Sequence, residues 1–327
     1  MATTRKPRRV LRKLVLVLLL LLFGISALAG IFLVEGGLRP PRRLISGENE
    51  LRALAETQGV QWEDVELRAA DGVLLRAWLL FAARTRGNSA DGPPQAVMLF
   101  HGVADSRNSM LGYARLFLRN GYAVLIPDAR AHGASGGDLA TFGVLESADA
   151  RGWARWFRTR TGAPCVHGLG ESMGGAILLQ ALAAEESGPS ESVFCSAVAE
   201  SPFADFREIA FDRVGQHIGL GPWFGRYMFR IPIEFGWLYA RWKYGLDLGR
   251  ASPVCAVAST RVPILLIHGA RDDNIPHRHS AQLRAAAPAI EYWEPPDTTH
   301  TGTLSNHPAE FERRVIAWFR QHSRSAR

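Results

Sequence analysis

The sequence predicts an α/β protein in which a mostly parallel, eight-stranded sheet is flanked by helices. The main observation is that short apolar strand-like runs alternate with helical runs over residues 96–322. Residues 96–100 are wholly apolar, as expected for a strand that helices cover on both faces. A polar turn, residues 69–72, separates strand-like residues 62–68 from 73–81 and predicts an antiparallel hairpin ahead of the parallel strands.

The same alternation places the remaining elements. Further strands are predicted at residues 123–126, 165–169, 192–199, 263–268 and 290–293. Helices are predicted at residues 48–58, 109–120, 144–160, 173–184, 277–286 and 308–322. Residues 61–323 therefore form the predicted globular domain.

The N-terminal part of the chain predicts a membrane anchor. Residues 14–34 are almost wholly apolar and about as long as a helix that crosses a bilayer. Residues 1–13 are strongly basic, which predicts a cytoplasmic N-terminus and a domain on the outer, periplasmic or extracytoplasmic side. We favour an uncleaved signal anchor because apolar residues continue past Ala29. The alternative is secretion after cleavage of a signal peptide near Ala29, where Ala27-Leu28-Ala29 offers a cleavage motif.

The charge and cysteine content exclude some classes of function. Much of the formal net charge of +7 flanks the apolar run, and no basic stripe is interleaved with aromatic residues, so nucleic acid is not an expected partner. Residues 35–60 are predicted to form a juxtamembrane linker and a short helix. The three cysteines show no metal-ligand spacing. Cys165 and Cys195 are predicted to be small buried side chains, without a disulfide framework.

The strongest motif is Gly-Glu-Ser-Met-Gly at residues 170–174. An apolar strand leads into it and an apolar helix follows, which is the context of a serine on a sharp strand-to-helix turn. The glycines two residues to either side of Ser172 suit the crowding of strand and helix at such a turn. Ser172 is therefore the predicted nucleophile.

A serine nucleophile needs a histidine base and a carboxylate that orients the histidine. In a doubly wound sheet these residues follow strands on the edge where the serine lies. Asp272 follows the predicted strand 263–268 and His300 follows the last strand, so the order is Ser172, Asp272, His300. Asp273 is the less favoured neighbour, and Glu200 is a lesser alternative acid.

An acyl-transfer site also needs two donors for the oxyanion. The backbone N–H of Met173 is one candidate, because it begins the helix behind Ser172. The backbone N–H of Val103, in the loop after residues 96–100, is the other, with Ala104 as the alternative.

Two histidines outside the predicted triad are candidates for substrate binding. His101 follows the apolar strand 96–100 and is more readily explained as a structural residue. Asp128 is expected to organise the loop that follows its strand, and His132 in that loop is the residue there that could touch substrate.

Residues 201–260 interrupt the alternation with helical or irregular sequence rich in aromatic residues. One interpretation is an additional packing layer. The other, which we favour, is a lid over Ser172 that supplies an apolar pocket for an acyl or lipid-like group.

Taken together, these motifs resemble the α/β-hydrolase superfamily over residues 62–322. The resemblance is carried by His101-Gly102, by residues 128–135, 170–175 and 268–276, and by His300. Within the superfamily the chain looks like the branch of serine aminopeptidases (S33), monoacylglycerol-lipase-like enzymes and membrane-anchored bacterial hydrolases. The resemblance implies an α/β-hydrolase fold with a Ser172, Asp272, His300 triad and no cofactor or metal.

The predicted function is a serine hydrolase of EC class 3 that cleaves carboxylic esters through an acyl-enzyme. A small ester or lipid-like molecule such as an acylglycerol is the expected substrate. A serine aminopeptidase, for which Glu234 and Asp247 could meet the substrate amine, or a thioesterase is the alternative. A non-catalytic, membrane-anchored binding protein is a further rival, and the sequence leaves the oligomeric state open.

Overall fold

The structure is a computed structural model, and it describes residues 5–82, 95–183 and 192–324. The chain divides into two compact units. One unit combines the N-terminal part, up to Leu38, with Ala210–Leu248. The other, which contains the sheet, comprises Arg39–Ile209 and Gly249–Arg327.

The sheet has eight strands in the order β1-β2-β4-β3-β5-β6-β7-β8. The pairs β1–β2 and β2–β4 are antiparallel and all other pairs are parallel, which confirms the predicted hairpin and parallel sheet. The strands are β1 (Gln61–Arg68), β2 (Leu74–Phe81), β3 (Gln95–Phe100), β4 (Tyr122–Pro127), β5 (Val166–Glu171), β6 (Phe194–Glu200), β7 (Ile264–Ile267) and β8 (Glu291–Trp293).

Helices cover the sheet and bury an apolar cluster on each of its faces. Strand β3 illustrates the alternation, since Met98 and Phe100 belong to one cluster and Val97 and Leu99 to the other. The helices of this unit are α2 (Glu48–Gln58), α3 (Leu111–Arg119), α4 (Glu146–Thr161), α5 (Met173–Ala181), α9 (Pro253–Ser259), α10 (Arg278–Ala286), α11 (Thr303–Asn306) and α12 (Pro308–Gln321). The predicted helix 109–120 begins as a 3₁₀ turn at Arg107–Met110, and the C-terminal end of the predicted helix 173–184 lies at the border of the described residues.

The remaining helices are α1 (Arg5–Gly37) and three helices of the aromatic-rich insertion, α6 (Phe206–His217), α7 (Gly221–Met228) and α8 (Arg230–Tyr244). Helix α1 contains a mostly apolar stretch, Arg9–Gly37, that is long and apolar enough to cross a membrane and has few fully buried residues. Within the first unit α1 packs along α8, where the rings of Phe23 and Phe235 meet edge to face at 4.7 Å. The lid function of residues 201–260 stays a prediction.

The expectation of no disulfide is wrong. The structure joins Cys165 and Cys195, whose Cα atoms are 5.7 Å apart, within the range for a disulfide. The cause is a register shift between β5 and β6, in which Val166 pairs with Phe194 but His167 pairs with Ser196. Cys195 is therefore the extra residue of a bulge beside the start of β5. Cys255 remains a free, exposed thiol.

Candidate active site

Ser172 lies on the turn between β5, which ends at Glu171, and α5, which begins at Met173. Its backbone has φ 51° and ψ −117°, a sparsely populated conformation for a residue with a side chain and the one expected of a nucleophile elbow. The turn needs glycine, because a Cβ atom built on Gly170 would lie 2.6 Å from the carbonyl carbon of Gly174. The predicted strand, sharp turn and helix are thus all present.

The loop after β3 runs beside the serine. A Cβ atom built on Gly102 would lie 3.7 Å from the Cβ atom of Ser172, which brings the backbone ahead of Val103 next to the nucleophile. Met173, at the start of α5, is buried. The N-terminus of a helix favours negative charge, so this corner of the sheet suits a developing oxyanion. The roles of the Met173 and Val103 N–H groups remain predictions.

Asp272 and His300 form a hydrogen-bonded pair. The Nδ1 atom of His300 is 2.9 Å from Oδ2 of Asp272, and the Asp272 side chain is fully buried. The other carboxylate oxygen, Oδ1, accepts backbone N–H bonds from Asn274 and Ile275, each at 2.9 Å. Burial alone would raise the pKa of Asp272, but the hydrogen bond and charge of His300 hold that pKa below its usual value. The neighbouring Asp273 is exposed.

All three predicted triad residues follow parallel strands at one edge of the sheet. Ser172 follows β5, Asp272 follows β7 and His300 follows β8. Parallel strands end at the same edge, and this edge is where doubly wound sheets place their ligands. His300 is hydrogen-bonded to Asp272, and the triad of the three residues stays a prediction.

Beside the serine lies an acidic cluster that the sequence does not predict, in which Tyr113 and Glu200 are buried and Glu171 is half-buried. The Tyr113 hydroxyl is 2.6 Å from Oε1 of Glu171 and 3.0 Å from Oε2 of Glu200. Because a phenol carries one proton, it cannot donate to both carboxylates, and the second short contact needs a protonated carboxyl group. Burial and the neighbouring charge of Glu200 raise the pKa of Glu171 to about 8.

Glu200 also ties two loops of the site together. Its backbone carbonyl accepts the Ser172 N–H at 2.8 Å, and its Oε1 atom accepts the Thr303 N–H at 2.9 Å. Thr303 lies three residues after His300. Glu200 is therefore engaged in holding the serine turn and the histidine loop, whereas Asp272 is the carboxylate paired with His300.

His101 and Asp128 have structural contacts. The ring of His101 contacts the Gly102 carbonyl at 2.8 Å through Nδ1 and accepts the Ala129 N–H at 3.0 Å through Nε2. Asp128 accepts the backbone N–H groups of Arg107, at 2.8 Å, and Ala134, at 2.9 Å, which confirms that it organises its loop. Substrate contact by His101 stays a prediction.

His132 is fully buried next to His101, with the two ring centroids 5.3 Å apart. Its Nδ1 atom is 2.9 Å from the Arg130 carbonyl oxygen. Burial and the proximity of His101 lower the pKa of His132 to about 4, so the ring is neutral at pH 7. Substrate contact by His132 also stays a prediction.

In the described ranges, no three His, Cys, Asp or Glu side chains come together as metal ligands would.

Comparison with known sequences agrees with this architecture. The pattern of the alpha/beta hydrolase family matches residues 96–314. The uncharacterized protein YqkD of Bacillus subtilis is 31% identical over 191 residues, which cover 58% of this chain and 59% of YqkD. The uncharacterized protein Rv2307c of Mycobacterium tuberculosis is 27% identical over 226 residues, which cover 68% of this chain and 66% of that protein. The matches thus span about three fifths to two thirds of these relatives.

Solved structures show the same fold at low sequence identity. The esterase Pf2001 of Pyrococcus furiosus superposes with a TM-score of 0.64 at 22% identity, covering 87% of this chain and 100% of the esterase. The acylaminoacyl peptidase of Pyrococcus horikoshii superposes with a TM-score of 0.59 at 14% identity, covering 87% of this chain and 45% of the peptidase. With the family pattern matched over most of the sheet-containing unit, the chain belongs to the alpha/beta hydrolase family.

Proposed function

We propose that the protein is a serine hydrolase that cleaves carboxylic esters with Ser172, His300 and Asp272. The observation that carries the proposal is the 2.9 Å hydrogen bond between His300 and the buried Asp272, at the sheet edge where Ser172 occupies a strained turn. Membership in the alpha/beta hydrolase family supports hydrolysis as the reaction class.

In this mechanism His300 takes the proton of the Ser172 hydroxyl as the oxygen attacks the ester carbonyl. Asp272 accepts the Nδ1–H of His300, which fixes the ring and stabilises the imidazolium. The Met173 and Val103 N–H groups would hold the tetrahedral oxyanion. The imidazolium then protonates the departing alcohol, and a water molecule activated by His300 releases the acid from Ser172.

An ester or acylglycerol-like lipid is the proposed substrate. The apolar helix α1 would hold the enzyme at a membrane, beside lipid esters. One similar structure is described as an esterase, and another as an acylaminoacyl peptidase. The second candidate function is therefore cleavage of a peptide N-terminal group, as in the S33 branch, and thioester cleavage is a third.

We further propose that α1 anchors the protein with its basic N-terminus in the cytoplasm and the sheet-containing unit outside. The length of the apolar stretch Arg9–Gly37 and the basic residues ahead of it support this orientation. The disulfide between Cys165 and Cys195 agrees with an oxidising compartment.

A fluorophosphonate probe tests the mechanism, because it labels serines that a neighbouring base activates. The detergent-solubilised full chain is compared with Ser172→Ala and with the matched control Ser305→Ala, an exposed serine outside the proposed triad. We expect Ser172→Ala to lose labelling and Ser305→Ala to keep it. Equal labelling of Ser172→Ala and the wild type would rule out Ser172 as the nucleophile. Esters of graded chain length, aminoacyl amides and thioesters then distinguish the substrate classes.

A further inference from the structure

Helices α7 and α8 expose a set of large apolar side chains. These side chains are between 62% and 81% exposed and include three aromatic side chains. Ile231, Leu238 and Trp242 are spaced seven and four residues apart and so lie on one face of α8, and exposed apolar patches of this kind mark binding surfaces for protein or lipid. The side chains are Trp223, Tyr227, Met228, Ile231, Leu238 and Trp242, and we call them the apolar face of α7–α8.

The apolar face belongs to the same compact unit as α1. The backbones of the two long helices approach closely at paired glycines, because a Cβ atom built on Gly30 would lie 2.7 Å from the Gly236 nitrogen. In return, a Cβ atom built on Gly236 would lie 2.7 Å from the Gly30 carbonyl oxygen. Small residues that let helix backbones meet are typical of helix pairs within membranes.

A polar cluster lies at the other end of the contact between α1 and α8. Oε1 of Glu35 accepts hydrogen bonds from the Tyr239 hydroxyl at 2.6 Å, from the Lys243 ammonium at 2.9 Å and from the Tyr244 hydroxyl at 2.5 Å. Glu35 directly follows the apolar run of α1. This cluster therefore marks the level at which α1 would leave the hydrocarbon and enter the headgroup region.

The positions of the α8 contacts along α1 indicate how deep α8 would lie in the membrane. Contacts along α1 extend from Phe23 to Glu35, and at 1.5 Å per residue these twelve steps span about 18 Å. The hydrocarbon core of a bilayer is about 30 Å thick. If α1 crosses the membrane as proposed, α8 lies beside the outer half of that crossing.

From these contacts we infer that α7 and α8 insert into the outer leaflet beside α1, with lipid as the occupant of the apolar face. Trp and Tyr are the aromatic residues that prefer the membrane interface. Two basic residues, Arg241 and Lys243, lie in the last turn of α8 at the level of Glu35, which suits anionic headgroups. The inference rests on the proposed anchor but not on the proposed chemistry.

Site-directed fluorescence on the full chain tests this. In a Cys255→Ser background, an environment-sensitive nitrobenzoxadiazole label is attached to a single new cysteine, and the protein is reconstituted in phosphatidylcholine–phosphatidylglycerol vesicles. Leu238→Cys reports on the apolar face. Leu19→Cys, on the exposed surface of α1, is the control for lipid, and Arg313→Cys, on the exposed surface of α12, is the control for water.

We expect the label at position 238 to be blue-shifted and quenched by doxyl lipids severalfold more strongly than the label at position 313. Iodide quenching at position 238 equal to that at position 313, with lipid quenching intact at position 19, would overturn the inference and leave the anchor in place. Water exposure at position 19 as well would overturn the anchor and the inference together. Shielding at position 238 from both quenchers that disappears as protein is diluted into more lipid would show a second copy of the chain instead. Fluorophosphonate labelling of the same samples measures the reactivity of the proposed nucleophile, Ser172, separately.

Discussion

The carbonyl oxygen of Glu200 accepts a hydrogen bond from the backbone N–H of Ser172 at 2.8 Å. Through its carboxylate, the same residue holds the N–H of Thr303, just beyond His300. Strand β6 thus supports both the nucleophile and the base of the proposed mechanism. Asp272, in contrast, contacts the His300 ring itself, so the two carboxylates have different roles.

Asp272→Asn should lower kcat for ester hydrolysis by about 10⁴-fold, because the amide can present its N–H to His300 and favour the wrong tautomer. Asp273→Asn is the matched control, since Asp273 is adjacent and exposed, and it should change kcat by about twofold or less. Steady-state kinetics of both variants on one ester, with thermal unfolding to confirm folding, makes the comparison. Equal losses in the two variants would remove Asp272 from the proposed triad.

Glu200→Ala should lower kcat by about 10- to 100-fold with a small change in KM, because the loop that carries His300 loses an anchor. The buried N–H of Thr303 would also lose its partner, at a cost of about 1–3 kcal/mol in the free energy of unfolding. Glu200→Gln is the matched variant, because its carbonyl oxygen can still accept the Thr303 N–H and its amide can donate to Tyr113.

We expect Glu200→Gln to retain kcat within a few-fold. A purely structural role would lower the active fraction of Glu200→Ala without changing the turnover of labelled sites, so kcat is normalised to sites titrated with fluorophosphonate. Normal turnover per titrated site in Glu200→Ala would contradict a positioning role.

The pKa of Glu171 predicts a pH dependence of stability. In the unfolded chain the carboxyl group has an ordinary pKa, whereas burial and the charge of Glu200 raise it to about 8 in the folded protein. The protonated group therefore contributes stability that is fully present below the unfolded value and is lost as the pH rises through about 8. Glu171→Gln, which stays neutral, should show a flatter dependence of the melting temperature on pH between about 5 and 9.

Melting curves of wild type, Glu171→Gln and the exposed control Glu56→Gln over this pH range make the measurement. The difference between wild type and Glu171→Gln should grow to several degrees at the alkaline end, while Glu56→Gln follows the wild type. Parallel curves for all three proteins would mean that Glu171 is ionised throughout.

The features that could be predicted from the sequence are those that depend on residues close together in the chain. Alternating strands and helices predict the parallel sheet, and the glycines around Ser172 predict its turn, because the steric crowding there is a property of neighbouring residues. The sequence did not predict the cluster of Tyr113, Glu171 and Glu200, whose members are far apart in the chain and carry no spacing signal. The contact of α1 with α8 was missed for the same reason, since two glycines 206 positions apart look ordinary in each helix.

The missed disulfide shows how one register shift changes a prediction. Cys165 and Cys195 were expected to be buried apolar side chains, and both are buried. In an undisturbed parallel register, successive residues of β5 and β6 would pair one for one. The bulge at Cys195 breaks this register and brings the residue to Cys165. No sequence pattern near Cys195 predicts this bulge.

The Cys165–Cys195 disulfide predicts how many thiols can be alkylated before and after reduction. This number also reports on the compartment in which the domain lies. If the sheet-containing unit lies outside the cytoplasm, protein from native membranes, unfolded without reductant, should expose one thiol to alkylation, that of Cys255. After reduction it should expose three, and Cys255→Ser should expose none before reduction and two after it. Reduction should also destabilise the protein by about 3.6 kcal/mol, since the bridge closes a loop with a sequence separation of 30 residues. Three reactive thiols in the unreduced protein would place the domain in a reducing compartment and reverse the proposed orientation of α1.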